Sequence, residues 1–246
     1  MNILVTGASS GIGKSLVTYF VAQGHSVWGM ARRPEEFKKL QQELSQEKGV
    51  FRWNAGDVRK REDIVRMHSD MREASFFPEA VYLAAGIFPN DITPRFNFEL
   101  FIETMETNAG GALCIVDAFL DEFLKRGTGH FVALSSTAAF RPNRRGIGYP
   151  ASKAALALAF RGLQLAYQDK NILYSIVYLG PISSPMWEGR RSFFVADEQS
   201  ITRKLAAVIQ TRRNTYYLPF FSTFLFRVSR WLPDRWYAAV AERVLK

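Results

Sequence analysis

The sequence has 246 residues, of which 48% are hydrophobic and 22% charged, and its formal net charge is +9. These values indicate a globular protein with a large core, and no apolar run reaches the length of about 18 residues that a membrane-spanning helix needs. The single cysteine, Cys114, excludes an internal disulfide bond and is typical of a reducing compartment. The first residues lack the pattern of a signal peptide, so we expect a cytoplasmic protein.

The N-terminal segment predicts a nucleotide-binding turn. Residues 2–6 form an apolar, strand-like run, Gly7, Gly11 and Gly13 follow, and residues 14–23 have helical periodicity. Glycines at this position let the backbone approach a diphosphate, and the N-terminus of the helix supplies N–H donors. The alternative is a tight strand–helix turn without a ligand.

The end of the second predicted strand, residues 25–30, bears on the choice of cofactor. In dinucleotide-binding folds, an acidic residue here binds the ribose 2′-hydroxyl of NAD, whereas an arginine accommodates the 2′-phosphate of NADP. This sequence has Ala31 followed by Arg32 and Arg33, whose guanidinium groups match phosphate geometry. NADP(H) is therefore favoured over NAD(H), although one of the two arginines is also compatible with a solvated loop position.

The rest of the chain alternates predicted strands with predicted helices. Asp57 follows the third strand at the edge where a cofactor would lie, and the small residues 84–86 end the fourth. Residues 87–98 are expected to be irregular and to form part of a site rim. The alternation predicts a single doubly wound α/β domain with a parallel sheet. The further predicted elements are helices at 34–47, 59–73, 98–126, 149–169 and 198–213, and strands at 50–54, 80–86, 130–134, 172–178 and 215–218.

Two of the predicted helices carry candidate chemistry. Asn108 interrupts the first, where its side chain or a locally opened backbone is suited to ordering a water, and a simple kink is the alternative. Tyr149 and Lys153 are four residues apart in the second and therefore lie on one face. Alone, such a pair is common on helix surfaces, but a lysine ammonium beside a phenol lowers its pKa, which suits alcohol/carbonyl chemistry. Ser136 ends the preceding strand, where its hydroxyl is placed to hold the same substrate oxygen.

These motifs occur together in the order and spacing of one known family. Residues 1–215 resemble the short-chain dehydrogenase/reductase family. The resemblance implies a Rossmann-type fold, with a seven-stranded parallel sheet covered by helices on both faces, and a nicotinamide cofactor. The residues that carry it are Thr6–Gly13 (TGASSGIG), Asp57 and Val58, Ala84–Gly86, Asn108, Ser136, Tyr149 with Lys153, and Gly180 with Pro181.

The resemblance also implies roles for individual residues. Tyr149 is expected to be the general acid/base, and Ser136 to orient the substrate oxygen. Lys153 is expected to bind the nicotinamide ribose and to lower the pKa of Tyr149, and Asn108 to anchor a water that relays protons to Lys153. No metal site is expected. The residues expected to contact the cofactor are Gly7, Ser9, Ser10, Gly11, Ile12, Gly13, Arg32, Arg33, Asp57, Val58, Ala84, Ala85, Gly86, Tyr149, Lys153, Pro181, Ile182 and Ser184.

Among the positions that depart from the usual family pattern, two bear directly on the cofactor. Ala84 replaces an asparagine, which removes a side-chain hydrogen bond but keeps the backbone geometry. Ser10 stands where NADP-preferring members often carry a basic residue, yet Ala31 still lacks the carboxylate that NAD requires. The preference for NADP(H) is therefore kept.

Two segments outside the shared motifs are expected to determine the substrate. Residues 184–200 are expected to form a short lid, and residues 216–246 an aromatic, basic and helical extension of the catalytic domain at 1–215. Nine basic and two acidic residues lie between Arg203 and Lys246, a local excess of +7. Three alternatives stay open for the extension: packing against the domain or a sister subunit of a homodimer or homotetramer, lying on an anionic membrane, or covering a hydrophobic substrate pocket. Nucleic-acid binding is not expected, because no motif supports it.

The combined prediction is an NADP(H)-dependent oxidoreductase. It transfers hydride between nicotinamide and a carbonyl/secondary alcohol pair, and we expect a reductase of an apolar small molecule. The alternative from another class is a cofactor-binding regulator or scaffold that keeps the fold without turnover. The presence of Ser136, Tyr149, Lys153 and Asn108 favours the enzyme.

Overall fold

A seven-stranded sheet forms the centre of the computed structural model, which describes residues 1–92, 95–141, 146–182, 196–233 and 235–237. The strands are β1 (Asn2–Thr6), β2 (Ser26–Ala31), β3 (Val50–Ala55), β4 (Ala80–Leu83), β5 (Gly129–Ser136), β6 (Ile172–Leu179) and β7 (Thr215–Leu218). Their order in the sheet is β3-β2-β1-β4-β5-β6-β7, and each neighbouring pair is parallel. The predicted seven-stranded parallel sheet is confirmed.

Helices cover both faces of this sheet. Within the described ranges they are α1 (Gly11–Ala22), α2 (Pro34–Glu43), α3 (Arg61–Glu73), α4 (Phe98–Met105), α5 (Gly111–Arg126), α6 (Gly148–Ala166), α7 (Glu198–Ala206), α8 (Val208–Thr211) and α9 (Phe220–Ser229). Side chains of a strand alternate between the two faces. Leu4 of β1 therefore packs into the core beneath α3, α5 and α6, whereas Ile3 and Val5 pack beneath α1, α2 and α7. The fold is the doubly wound α/β class that the alternating pattern predicts.

Two predicted elements differ from the observed ones. The strand predicted at 80–86 ends at Leu83, because the Ala85 N–H bonds to the Thr6 hydroxyl (3.2 Å) and the chain leaves the sheet. The helix predicted at 198–213 is split into α7 and α8. The first difference matters for function, since it brings the turn after β4 against the end of β1.

The order of the strands locates the crevice where a ligand would bind. β1 has β2 on one side and β4 on the other, so the direction of winding reverses between β1 and β4. In open α/β sheets, ligands bind outside the carboxyl ends of the strands at this switch point. The turns after β1, β4 and β5 meet at this edge.

The last strand and helix close one side of the fold. β7 pairs with β6 at the edge of the sheet, so the first residues of the segment predicted as an extension belong to the sheet. Tyr217 stacks on Tyr178, with ring centroids 5.3 Å apart and planes 10° apart, and the Arg227 guanidinium lies 4.1 Å from the centroid of the Tyr217 ring. The division of the chain after residue 215 stays a prediction. Among the described helices, none combines the length and apolar character needed to cross a bilayer.

Candidate active site

The glycine turn after β1 is shaped by close backbone contacts. Gly7 and Gly11 have φ angles of 68° and 49°, which favour glycine. A Cβ atom on Gly7 would lie 2.8 Å from the Ala85 Cα, and one on Gly13 would lie 2.2 Å from the Gly7 carbonyl oxygen. The N-cap residue of α1, Ser10, makes no side-chain capping bond, and the first turn of α1 has no acidic residue. The first turn of α1 thus contributes no carboxylate of its own at the positive end of the helix, which fits a diphosphate.

The two arginines after β2 lie beside this turn. The Gly7 N–H donates to the Met30 carbonyl (2.8 Å), which ties the turn to the end of β2. Both Arg32 and Arg33 are exposed, and Arg33 Nη2 donates to the hydroxyl of the buried Ser9 at 3.4 Å. The Arg33 side chain therefore flanks the turn, and the charge of Arg32 acts on Asp57 at the same edge of the sheet.

Asp57 lies at the same edge but is already paired with a neighbouring arginine. Its carboxylate accepts hydrogen bonds from the Arg59 guanidinium at 2.7–3.1 Å and from the Arg59 backbone N–H at 3.0 Å. Burial alone would raise the pKa of Asp57, but the hydrogen bonds and charge of Arg59 outweigh it, and the pKa lies below its usual value. Sequence reasoning missed Arg59, although an arginine two residues after an aspartate is a visible signal. Asp57 as an adenine ligand stays a prediction.

The other residues predicted to contact the cofactor from this side lie close to the glycine turn and to the end of β3. Val58 is buried against the first residue of α5, where a Cβ on Gly111 would lie 2.5 Å from Val58 Cγ2. Ile12 and Ala84 are partly buried and pack against the core under α1. The contact with Val58 therefore requires a glycine at position 111, apart from any effect of this glycine on the predicted kink.

The turn after β6 is described only in part. Ile182 is buried and forms an isolated parallel bridge with Ala196, whose N–H donates to the Pro181 carbonyl at 3.1 Å. Pro181 and Ile182 are thereby held at the carboxyl end of β6. Ser184 and residues 184–195 of the predicted lid lie outside the described residues.

The predicted break in the long helix is a π-helical turn at Glu106–Gly110. Asn108, at its centre, is fully buried. Its Oδ1 accepts from the Ile87 N–H (2.8 Å), and its Nδ2 donates to the Ile87 carbonyl and to the Ser152 hydroxyl, both at 3.0 Å. Such turns are frequent at functional sites. The side chain of Asn108 therefore fixes the loop after β4 against α6, and the ordering of a water stays a prediction.

Ser136, Tyr149 and Lys153 come together at the carboxyl end of β5. The half-buried Tyr149 makes a side-chain hydrogen bond with Ser136. The buried ammonium of Lys153 donates to the Leu134 carbonyl at 2.8 Å and lies 5.7 Å from the centroid of the Tyr149 ring. A Cβ on Gly86 would lie 3.5 Å from Lys153 Nζ, so the turn after β4 reaches the same place. The three side chains predicted to act together are neighbours in space.

The direction of the Tyr149 pKa differs from the prediction. Burial raises the pKa of the phenol, and the hydrogen bond with Ser136 opposes that change without reversing it. The predicted lowering by Lys153 is not found, because the ammonium lies over the ring and bonds to the Leu134 carbonyl. Burial also lowers the pKa of Lys153 to about 8. The site therefore favours a protonated phenol beside a lysine whose charge changes near neutral pH.

A buried carboxylate that sequence reasoning missed holds the helix of Tyr149. The side chain of Asp91 is 1% exposed and accepts from the Ile147 and Gly148 backbone N–H groups at 2.7 and 2.6 Å. These donors begin α6, whose N-cap residue is Ile147, a residue without a capping side chain. Asp91 thus supplies the cap from the loop after β4.

Phe88, in the same loop, was also missed as a site residue. Its ring centroid lies 4.5 Å from that of Tyr149, with the planes at 49°. The segment 87–98 was expected to form a rim, and an aromatic residue two positions after Gly86 is the signal that could have identified it. An apolar ring therefore borders the phenol.

Comparison with known proteins agrees with this geometry. Residues 1–193 match the family model of the short chain dehydrogenases. A Listeria monocytogenes protein described as an uncharacterized oxidoreductase is 30% identical over 76% of each chain. A Mycobacterium tuberculosis protein with the same description is 29% identical over 85% of this chain and 84% of its own.

Solved structures share the fold at lower identity. An alcohol dehydrogenase from Thermococcus sibiricus complexed with 5-hydroxy-NADP has a TM-score of 0.79 and 22% identity, covering 88% of this chain and 95% of its own. A serine dehydrogenase complexed with NADP+ has a TM-score of 0.79 and 21% identity, covering 89% and 94%. Together with the match over residues 1–193, this means that the chain belongs to the short-chain dehydrogenase/reductase family of oxidoreductases.

Proposed function

We propose that the protein is an NADP(H)-dependent oxidoreductase that interconverts a carbonyl and a secondary alcohol, working as a reductase of an apolar small molecule. The observation that carries this proposal is the convergence of Ser136, Tyr149 and Lys153 at the carboxyl end of β5. Lys153 Nζ lies 2.8 Å from the Leu134 carbonyl oxygen. It is also close to Gly86, since a Cβ atom added to this glycine would lie 3.5 Å from Nζ. The groups that would transfer a proton therefore lie next to the turn after β4, at the switch point of the sheet.

The residues around the glycine turn fit a dinucleotide. An added Cβ on Gly7 or Gly13 would collide with backbone, whereas one on Gly11 would meet nothing within 4 Å, which leaves room for a diphosphate beside the start of α1. The residues proposed to hold the diphosphate are those of this turn. Arg32 and Arg33 would bind the 2′-phosphate, since each guanidinium offers a planar set of donors. Two fold neighbours carry NADP-type ligands, 5-hydroxy-NADP in the alcohol dehydrogenase and NADP+ in the serine dehydrogenase.

The chain's own residues would handle the proton. The chemistry that NADPH would supply when bound is a hydride for the carbonyl carbon. The Tyr149 phenol donates its proton to the substrate oxygen, and its raised pKa keeps it protonated for that purpose. Ser136 shares a hydrogen bond with the phenol and orients the same oxygen. Lys153, whose ammonium lies beside the turn after β4, would bind the nicotinamide ribose.

Asn108 would contribute by position. Its three hydrogen bonds hold Ile87 of the loop after β4 and Ser152 of α6. The Ser152 hydroxyl in turn donates to the Tyr149 carbonyl at 2.8 Å. The water relay to Lys153 remains part of the proposal.

The preference for an apolar substrate follows from the neighbours of Tyr149. The Phe88 ring lies against the phenol, and a substrate carbonyl that reaches the hydroxyl would lie beside this ring. A polar substrate would lose hydration there without gaining a hydrogen bond from the ring.

Self-association is a further part of the proposal. Leu158 and Leu165, one side of α6, are 70% and 72% exposed in the single chain. Large exposed side chains on one helical face favour a homodimer or homotetramer. Light scattering after size exclusion measures that state directly.

Replacement of Tyr149 by phenylalanine tests the function. NADPH oxidation with a panel of ketones and aldehydes should fall by at least about 100-fold, because the proton donor is lost. NADPH binding, measured by fluorescence, should stay within twofold. Tyr167→Phe is the matched control, since that ring packs on Tyr174 away from the site.

Two results would contradict the proposal. Undiminished turnover in Tyr149→Phe would exclude the phenol as the acid. Tight NADPH binding by the unchanged protein, with no turnover of any carbonyl or alcohol tested, would instead favour the cofactor-binding regulator or scaffold.

A further inference from the structure

Helix α9 is packed with its polar side toward the protein. Ser222 and Thr223 are buried, at 4% and 0% exposure, and both hydroxyls donate to the Pro219 carbonyl, at 3.5 and 2.8 Å. A Cβ on Gly180 would lie 2.6 Å from the Ser222 Oγ, so the helix meets the turn after β6 through small polar residues. This arrangement inverts the usual amphipathic pattern of a surface helix.

The opposite side of the segment exposes large apolar side chains. Trp231 is 89% exposed, Phe220 69% and Trp236 59%. Scattered exposed side chains need no explanation, but a contiguous set of this size marks an interaction surface. We call this set the α9 patch, and its members are Phe220, Phe224, Leu225, Val228, Trp231, Leu232 and Trp236.

The α9 patch is held outward by contacts with the domain. The Arg141 side chain donates to the backbone carbonyls of Ser229 and Leu232, and its guanidinium lies 4.9 Å from the centroid of the Tyr237 ring. The guanidinium of Arg227 lies over the Tyr217 ring of β7. These contacts fix the end of α9 on the sheet edge, so the patch faces away from the core.

Charge indicates what covers the patch. Arg227, Arg230 and Arg235 are exposed around it, and α9 itself contains no acidic residue. In a symmetric dimer built on the patch, the arginines of the two copies would come close to one another and repel. An anionic lipid surface supplies the opposite charge, and tryptophan is favoured at the boundary between headgroups and acyl chains.

We propose that the α9 patch docks on the surface of an anionic lipid membrane, with the apolar side chains in the interface and Arg230 and Arg235 on lipid phosphates. Docking is peripheral, because the patch consists of one face of α9 and the residues that follow this helix, and the described helices do not span a bilayer. It would place the site at the carboxyl end of β5 near a membrane, and it is independent of the proposed reductase activity.

Co-sedimentation of the full chain with vesicles tests the proposal. Binding to phosphatidylcholine vesicles with 30% phosphatidylserine should exceed binding to pure phosphatidylcholine by at least about tenfold, and it should weaken in high salt. Arg230→Ala and Arg235→Ala should each reduce the anionic partition coefficient about fivefold. Phe224→Ser with Trp231→Ser should reduce it at least about tenfold.

Matched substitutions elsewhere provide the controls. Val65→Ser removes an exposed apolar side chain of α3, and Arg203→Ala an exposed arginine of α7, and neither should alter vesicle binding. Circular dichroism verifies that each variant is folded. The proposal is overturned if the unchanged protein does not co-sediment with anionic vesicles. It is also overturned if the double variant Phe224→Ser with Trp231→Ser binds these vesicles as the unchanged protein does. A change of oligomeric mass alone in that variant would assign the patch to a second copy of the chain instead.

Discussion

Asp91 and Gly148 are 57 residues apart, yet the Asp91 carboxylate accepts a 2.6 Å hydrogen bond from the Gly148 backbone N–H. A second bond, from the Ile147 N–H, ends on the other oxygen. The loop after β4 thereby holds the first turn of α6, and Tyr149 is the next residue. A buried cap therefore links the position of the candidate acid to the loop that also contains Phe88.

Replacing Asp91 by asparagine should weaken this link. The amide oxygen replaces only one of the two acceptors, and the amide N–H₂ group would face a backbone N–H. We expect the free energy of unfolding in urea to fall by about 1–3 kcal/mol. We also expect kcat for carbonyl reduction to fall more than KM rises, because the phenol loses its position.

Asp117→Asn is the control for this substitution. Asp117 is an exposed carboxylate paired with Arg61, and its loss should cost less than about 1 kcal/mol. If Asp91→Asn were no more destabilising than Asp117→Asn, the cap would not stabilise α6.

The sheet, the glycine turn and the Tyr149–Lys153 pair were accessible from sequence because each depends on local pattern. The sheet follows from alternating apolar runs, and the pair follows from a four-residue spacing on one helix. The cap by Asp91 was not accessible, since it joins two distant segments and Asp91 lies in an irregular stretch.

The pKa of Tyr149 shows a different limit of sequence reasoning. Spacing places Lys153 one turn away, but it does not tell where the ammonium points. The Leu134 carbonyl receives one of its hydrogen bonds, and burial of the phenol then determines the direction of the pKa. Such effects depend on the packed structure, as does the bond between Arg59 and Asp57.

Asn108→Ala should destabilise the protein, because the hydrogen-bond partners of the Asn108 side chain lose their bonds. The variant removes three hydrogen bonds and leaves the half-buried Ile87 N–H and carbonyl without their partner, so the free energy of unfolding should fall by roughly 2–4 kcal/mol. Ser152→Ala removes only one of these bonds and should cost about 1 kcal/mol. Equal urea midpoints for the two variants would show that Asn108 does not hold the loop.

The arginines after β2 should distinguish the cofactors. Arg32→Ala should weaken NADPH binding by about 10- to 100-fold, since a charged hydrogen bond contributes about 1.5–3 kcal/mol. NADH binding should change less than twofold. Ala31→Asp should reverse the preference, because its carboxylate repels a 2′-phosphate and accepts from a 2′-hydroxyl.

Calorimetric titration of both cofactors measures these changes. Arg72→Ala, at the exposed end of α3, is the control and should bind both as the unchanged protein does. If neither Arg32→Ala nor Arg33→Ala weakened NADPH binding, these two arginines would not be the residues that bind the 2′-phosphate.

His130 should make stability depend on pH. It is buried in β5, and its Nε2 lies 2.7 Å from the Ser175 hydroxyl, which itself donates to the Arg213 carbonyl, so Nε2 carries the proton in the neutral ring. Burial, with a smaller effect of Arg212, lowers the pKa of His130 from 6.5 to about 4. Between these values the unfolded chain binds a proton that the folded chain does not. The contribution of His130 to the free energy of unfolding is therefore complete above pH 6.5. It is lost as the pH falls toward 4, and the total loss is up to about 3 kcal/mol.

Urea unfolding at intervals from pH 7.5 to pH 4 measures this dependence, with His130→Gln as the comparison. The glutamine does not titrate, so the stability of the unchanged protein should fall relative to the variant by about 1.4 kcal/mol per pH unit within the window and not above it. Parallel curves for the two proteins would mean that His130 titrates alike in the folded and unfolded chains. The same result would contradict a neutral, buried ring in β5.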